Sequence, residues 1–360
     1  MRRLSLLSLS FSILLSSSLL PCILCGCSVE VSPKTETRLF TDSAGREVDI
    51  PIAISRVIPS GPYAQMILYT LCPEKLIGLS DPFTRVQKRF IEEAYYDLPI
   101  YGKFYGGGGS FNLEGIMKAS PDIIIDMGEA KAGIAVDLDS LQSQIGIPIV
   151  FIEATIESMA DAYETLGEIL GVGQRASEMS GYIRGVMDFA EDARSQIPEG
   201  AKPSVLYSQG EYGNEVNGRG SVHSEVLDYV GAINAADMAG ALASGGEEVS
   251  MEQIILWNPD IVILSPDSCY DEIYDNVLWS QVAAVKNMRV YEAPIGPYNW
   301  MDRPPSVQRV MGILWLGNLI YPEIYDFDII EKTREYYRLF FRYELSQEDA
   351  RGLMANSTFR

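Results

Sequence analysis

Asn112-Leu113-Glu114-Gly115-Ile116-Met117-Lys118-Ala119-Ser120-Pro121-Asp122-Ile123-Ile124-Ile125 returns in outline as Ser250-Met251-Glu252-Gln253-Ile254-Ile255-Leu256-Trp257-Asn258-Pro259-Asp260-Ile261-Val262-Ile263. Both copies read Glu, then Ile, then Pro-Asp-Ile and a β-branched run, at identical spacing. Each predicts a short helix feeding a buried strand. Asn112 and Ser250 are N-cap residue types, and Ser250 with Gln253 has the form of a capping box. Pro121 and Pro259 end the helix, because the residue before a proline is driven out of the right-handed α region. Ile123-Ile124-Ile125 and Ile261-Val262-Ile263 are continuous apolar runs, as a parallel strand covered on both faces requires. Two copies of one such unit, about a domain apart, imply two similar α/β lobes.

The rest of the composition is compatible with that architecture. The chain has 360 residues, 47% of them hydrophobic, enough for two domains with their own cores. A formal charge of −21, with no basic stripe, argues against a nucleic-acid partner. Residues 1–27 read as a lipoprotein signal. Arg2 and Arg3 precede an apolar, Ser-rich run from Leu4 to Leu20, and Leu24-Cys25-Gly26-Cys27 follows. A small residue before Cys27 suits signal peptidase II, with lipid then carried on Cys27. The alternative is an uncleaved anchor, for which the run is short, since a span needs about 20 apolar residues. Residues 28–37 are polar and aperiodic and read as a tether. Cys72 and Cys269, one per expected lobe, are read as two separate buried thiols.

The N-terminal lobe is expected over residues 38–173. It opens with a hairpin from Arg38 to Pro51 around Gly45. Arg56-Val57-Ile58, Leu76-Ile77-Gly78-Leu79 and Ile149-Val150-Phe151-Ile152 read as strands. Ligands of open α/β sheets sit at the carboxyl ends of strands, which makes the loop Ser60 to Tyr63 a candidate site. Gly106 to Gly109, ahead of the first repeat, could gather backbone N–H groups around an anion or serve as a connector. Ala176, Met179, Ile183, Val186, Ala190, Ala193 and Ile197 recur at helical spacing and predict one amphipathic linking helix over residues 174–198. At about 1.5 Å per residue it would reach roughly 35 Å and resist wide hinge closure. Residues 199–360 form the expected C-terminal lobe, with a helical extension through Val307 to Phe341. The loop Pro294 to Pro305 is rich in Pro, Gly and aromatic residues.

Taken together, the lipobox at Cys27, the opening Thr41-Asp42-Ser43-Ala44-Gly45-Arg46, both repeats and the linking helix resemble the class III substrate-binding proteins of ABC importers. Those proteins serve ferric siderophores, haem and cobalamin, and the class also has a molybdate and tungstate relative. Met301-Asp302-Arg303-Pro304-Pro305-Ser306 and Gly312-Ile313-Leu314-Trp315-Leu316 look like an iron-transport branch. The resemblance implies two Rossmann-like lobes joined by one long helix, no catalysis and no resident cofactor. It also implies an iron chelate or related metal complex as cargo and a lipid anchor on the extracytoplasmic face. In that family one glutamate per lobe docks on the dimeric permease; by position in the repeats these match Glu114 and Glu252. The residues alone allow a plainer role, in which each carboxylate complements its own helix dipole.

The expected ligand residues are Tyr63, Tyr105, Gly107, Tyr207, Tyr212, Trp300 and Arg303, as aromatic walls, an anion loop and a cation for an anionic chelate. Each could equally pack or pair at the surface. A bare zinc or manganese ion is disfavoured, because His223 is the only histidine. His223 is expected just inside a helix start, in a structural role or as a contact facing the cleft. An oxyanion ligand would call for a small polar pocket, a chelate for a broad aromatic groove. An enzyme of two α/β lobes, such as a chelatase or reductase, lacks support: there is no dinucleotide Gly fingerprint, no Gly-x-Ser-x-Gly elbow and no Cys/His cluster. A surface adhesin would leave the paired glutamates without a purpose.

Overall fold

A hairpin opens the structure, a computed structural model that describes residues 36–104, 111–238, 246–266 and 268–358. The signal and lipobox with Cys27, most of the tether, and the loop carrying Tyr105 and Gly107 lie outside the described residues. The hairpin pairs β1 (Thr37–Thr41) with β2 (Glu47–Pro51), and Gly45 supplies the positive φ of the turn (75°). Buried Arg46 locks it by donating to Asp42 at 2.9 Å and Asp139 at 2.8 Å. The first lobe continues with β3 (Val57–Pro59) and α1 (Pro62–Leu71), then α2 (Leu113–Ala119) and β4 (Ile123–Gly128). It closes with α3 (Ile134–Ile145), β5 (Ile149–Glu153) and α4 (Met159–Leu170). Its sheet is parallel, in the order β3-β4-β5. The expected strand Leu76 to Leu79 is reduced to single bridges at its two ends.

The linking helix is α5 (Gly173–Ser195), 23 residues long. Its buried stripe holds Ala176, Met179, Ile183, Val186, Ala190 and Ala193, as expected from their spacing, with Ser180 among them; the helix stops at Ser195, so Ile197, expected within it, is buried just past its end. The second lobe comprises β6 (Ser204–Gln209), β7 (Glu215–Val216), α6 (Glu225–Tyr229), β8 (Ile233–Asn234) and β9 (Glu247–Glu248). It goes on through α7 (Met251–Trp257), β10 (Ile261–Leu264), α8 (Ala283–Lys286) and β11 (Val290–Glu292). The chain ends in α9 (Arg309–Ile320), α10 (Ile329–Phe341) and α11 (Gln347–Leu353). The second sheet runs β11-β10-β6-β7-β9, with β8 also on β6; β11, β10, β6 and β8 are mutually parallel.

The two repeats fold alike. Asn112 accepts the N–H of Gly115 at 2.9 Å and Ser250 that of Gln253 at 3.3 Å, so each helix starts on a side-chain cap. Each ends after seven residues at a left-handed residue, Ser120 and Asn258, both with φ of 46°. The prolines do end the helices, but the preceding residue takes the left-handed well rather than the extended one. That geometry lets its N–H close on the helix carbonyls, Ile116 at 3.0 Å and Ile254 at 2.9 Å.

The apolar runs of β4 and β10 are continuous because each strand faces two cores. Ile123, Ile125, Ile261 and Ile263 point into a core shared by both lobes and α5; Ile124 and Val262 point into separate cores behind their own sheets. The C-terminal helices cross back into the first lobe. Phe341 of α10 stacks on Tyr69 of α1, and Phe340 meets Tyr163 of α4 edge-on at 6.0 Å. Arg175 and Arg342 both donate to the last carbonyls of α1, at 3.0 and 3.1 Å on Leu71. A helix C-terminus is where cations are most favourable. This anchorage fixes the far end of α1 and so aims its other end.

Candidate functional site

The N-terminal end of α1 opens into a cavity of about 340 Å³ between the lobes. The first lobe supplies the loop Ser60–Ala64, the end of β4 with Asp126 and Glu129, Lys131, and Phe151 and Ala154 at the end of β5. These residues lie toward the carboxyl ends of β3, β4 and β5, in the loops that leave them or, for Tyr63 and Ala64, in the first turn of α1, where open α/β sheets hold ligands. The second lobe contributes Val222, His223, Pro304, Pro305 and Arg309. Among the described residues no group of three or more His, Cys, Asp or Glu is placed to hold a metal ion.

The polar lining is set from behind. Ser60 Oγ donates to Asp126, which is 3% exposed, and burial raises that carboxyl to about 6. Tyr63 Oη donates to the carbonyl of Ala154, and desolvation pushes the phenol up to about 12 against the pull of Arg309. Arg309 is 2% exposed and ion-paired with Glu225, and its Nε donates to the Ser306 carbonyl at 3.2 Å. Burial raises Glu225 even so. The pair, with Arg309 buried and Glu225 partly exposed, holds the guanidinium rigidly at one edge of the cavity.

His223 precedes α6 in a loop, because Ser224 is the cap residue; it does not lie inside the helix as its sequence position suggested. Its Nδ1 lies 3.0 Å from Oδ2 of Asp302, which is fully buried. Asp302 also accepts from Tyr207 Oη at 2.7 Å and Gln209 Nε2 at 2.8 Å. Arg303 Nη2 donates to Gln209 Oε1 at 2.8 Å.

A family-level match fits this cavity between two α/β lobes. Residues 75–295 match the model described as periplasmic binding protein. The chain belongs to the periplasmic binding protein family. It is an ABC-importer solute-binding protein, not an enzyme. A solved ABC transporter solute-binding protein from Sulfurospirillum deleyianum is 29% identical, with a TM-score of 0.81 over 88% of this chain and 99% of that one. The molybdate-binding protein MolA of Haemophilus influenzae is 21% identical across 93% of this chain and 99% of its own. The Fe(3+)-citrate-binding protein YfmC of Bacillus subtilis is 26% identical over 51% of this chain and 56% of its own.

Of the ligand residues expected in this periplasmic binding protein, Tyr63 lines the cavity. Trp300 does not form an aromatic wall: it is fully buried in the shared core. Tyr207 is 2% exposed and spends its hydroxyl on Asp302. Tyr212 is 69% exposed, away from the cavity lining. Arg303 is bound to Gln209, and the cations that line the cavity are Arg309 and Lys131. His223, expected in a structural role or as a contact facing the cleft, lines the cavity; Asp126, Glu129, Lys131 and Arg309 are lining groups that residue type alone did not single out as ligand contacts. The only sequence signal for them was position, at strand ends and beside Asp302-Arg303.

A larger hollow of about 550 Å³ lies along α5, lined by Glu157, Asp188, Glu191, Glu225 and Asp228 with one arginine, Arg194. Its charge repels an anionic chelate, so volume does not decide between the two. Glu114 and Glu252 are both exposed at the first turn of α2 and α7. The carboxyl of Glu252 is held below its usual range by the backbone N–H at its own helix start. Cys72 and Cys269 are unpaired and buried, and burial raises the Cys72 thiol to about 12. Among the described residues no helix is long and apolar enough to cross a membrane.

Proposed function

We propose that this solute-binding protein captures a compact, anionic iron chelate, of the hydroxycarboxylate type rather than a bulky siderophore, and delivers it to an ABC permease dimer. The observation that carries the reading is the interlobe cavity. Its 340 Å³ is near the floor of the range for ligand sites, about 300–1,000 Å³. Arg309 and Lys131 would receive the carboxylates of such a complex, while Tyr63, Phe151 and the two prolines cover its apolar edges. The relative named for Fe(3+)-citrate lends this support. In the same reading Cys27 carries the lipid that tethers the protein to the extracytoplasmic face of the membrane, and Glu114 and Glu252 meet the permease.

A second reading, a bare oxyanion in the same cavity, has the molybdate-named relative on its side. Isothermal titration with ferric citrate, a tricatecholate siderophore and molybdate separates the two. Binding heat from ferric citrate alone is expected. Tight molybdate binding without ferric citrate would replace the first reading with the second, and siderophore binding would mean the cavity widens well beyond its observed size.

A further inference from the structure

The hydrogen bonds around Asp302 fix the direction of every donor in the cluster. A carboxylate accepts only, so Tyr207 Oη, Gln209 Nε2 and His223 Nδ1 must each donate to it. The neighbours agree. With its proton committed to Asp302, Tyr207 Oη is left to accept, and Asn299 Nδ2 donates to it at 3.1 Å. With its amide nitrogen on Asp302, Gln209 turns its oxygen to Asn217 Nδ2 at 3.3 Å and Arg303 Nη2 at 2.8 Å. One polarity therefore satisfies the whole buried cluster, and it places a proton on Nδ1 of His223. In a neutral imidazole the other nitrogen then carries the lone pair. His223 lines the cavity with its side chain 14% exposed, and among the described residues its Nε2 makes no hydrogen bond.

We infer that Asp302 is a positioning residue that holds His223 as the Nδ1–H tautomer, so that Nε2 meets the ligand as a hydrogen-bond acceptor. This rests on reading the interlobe cavity as the ligand site. The ligand class it selects carries an O–H donor on one side and an anionic group on the other. The anionic group faces Arg309 while the O–H reaches Nε2. Two sources supply such a donor: the hydroxyl of a hydroxycarboxylate, or a water held by the chelated metal. Asp302 itself touches no ligand; it acts through the ring.

The chain has one histidine, so untagged protein labelled with 15N-histidine gives a single pair of ring nitrogen signals. In the ligand-free wild type, long-range 1H–15N correlation at slightly alkaline pH is expected to show a protonated Nδ1 and an unprotonated Nε2. A predominant Nε2–H tautomer, or a ring protonated at both nitrogens, overturns the inference without any variant. Asp302→Asn offers a neutral and weaker acceptor, and the single-tautomer signature is expected to give way to a mixture. An unchanged signature in that variant, with its melting curve showing it folded, also overturns the inference.

The ligand arm uses gallium(III) citrate as a diamagnetic probe, citrate alone and molybdate, each followed by calorimetry on the same samples. A probe that gives binding heat is expected to shift Nε2. A shift with citrate alone assigns the donor to the hydroxyl; a shift only with the gallium complex assigns it to metal-bound water. Binding heat with Nε2 unmoved overturns the inference and leaves the transport reading standing. No heat from any probe sinks the compact-chelate reading, and the ligand-free spectrum still decides the role of Asp302.

Discussion

Asp260 does in the second sheet what Asp122 does in the first. Oδ2 of Asp122 accepts the backbone N–H groups of Ser55 at 2.7 Å and Arg56 at 2.9 Å; Oδ2 of Asp260 accepts that of Ser204 at 2.9 Å. Each aspartate belongs to the Pro-Asp step of its repeat and staples the neighbouring parallel strand at its start. Replacing either by Ala removes charge-assisted bonds to an exposed strand end and is expected to cost about 1–2 kcal/mol. The two sites share no partners, so the double variant should lose the sum to within about 0.5 kcal/mol. Urea denaturation of the two single variants and the double variant checks this. A double variant no worse than either single one would show that the staples are not independent.

Gly167 of α4 has no room for a side chain. A Cβ placed there would lie 2.3 Å from that of Ala176 on α5. In an exposed helix Gly→Ala gains about 1 kcal/mol. Here the gain is outweighed by overpacking between the linking helix and its neighbour, so Gly167→Ala is expected to destabilise by about 1–3 kcal/mol. Adding Ala176→Gly returns the space and should recover most of the loss. Thermal melts of both variants test the close α4–α5 approach, and a stabilised Gly167→Ala would refute it.

The repeats were legible because everything that shapes them is local: a cap residue, seven helical positions, a proline, then apolar residues facing both ways. The linking helix was legible for the same reason. The cavity was not. Arg309 stands in a run that reads as packing, Val307 to Trp315, and its value comes from Glu225, far away in the sequence. Tyr207 and Trp300 have the composition of a ligand wall, yet Asp302 and the shared core claim them. The return of α10 to α1 depends on contacts such as Tyr69 with Phe341, which no local pattern announces. His223 was visible as a lone histidine, but its orientation needs a carboxylate that is remote in the chain.

Asp126 sets a pH dependence. Burial pushes its folded-state carboxyl up to about 6, from the ordinary aspartate value of 3.8. A raised value means the native state holds the proton more tightly, so this group favours folding below about pH 4 and that contribution disappears as pH rises through 6. At 1.4 kcal/mol per pH unit the difference is about 3 kcal/mol. Asp126→Asn keeps an acceptor for Ser60 and removes the ionisation. It should therefore raise the melting temperature at pH 7.5 and gain nothing at pH 3.5. Equal effects at both pH values would show that Asp126 is not held protonated in the fold.

Glu114 and Glu252 sit at matched positions of matched helices, both exposed, and neither carboxylate lines the cavity. If the pair only complemented helix dipoles, each substitution to Gln would cost a few tenths of a kcal/mol up to about 1 kcal/mol and leave transport untouched. If the pair engages the permease, the single variants should slow uptake in membrane vesicles and the double variant should abolish it. Calorimetric affinity for the cargo should stay at the wild-type value in all three, because the cavity lining is unchanged. Charge reversal to Lys at both positions should be worse than Gln, since it turns attraction to a basic pocket into repulsion. Normal uptake by the double Gln variant would remove the docking role, and a drop in cargo affinity would move these residues from the transporter-facing surface to the binding site.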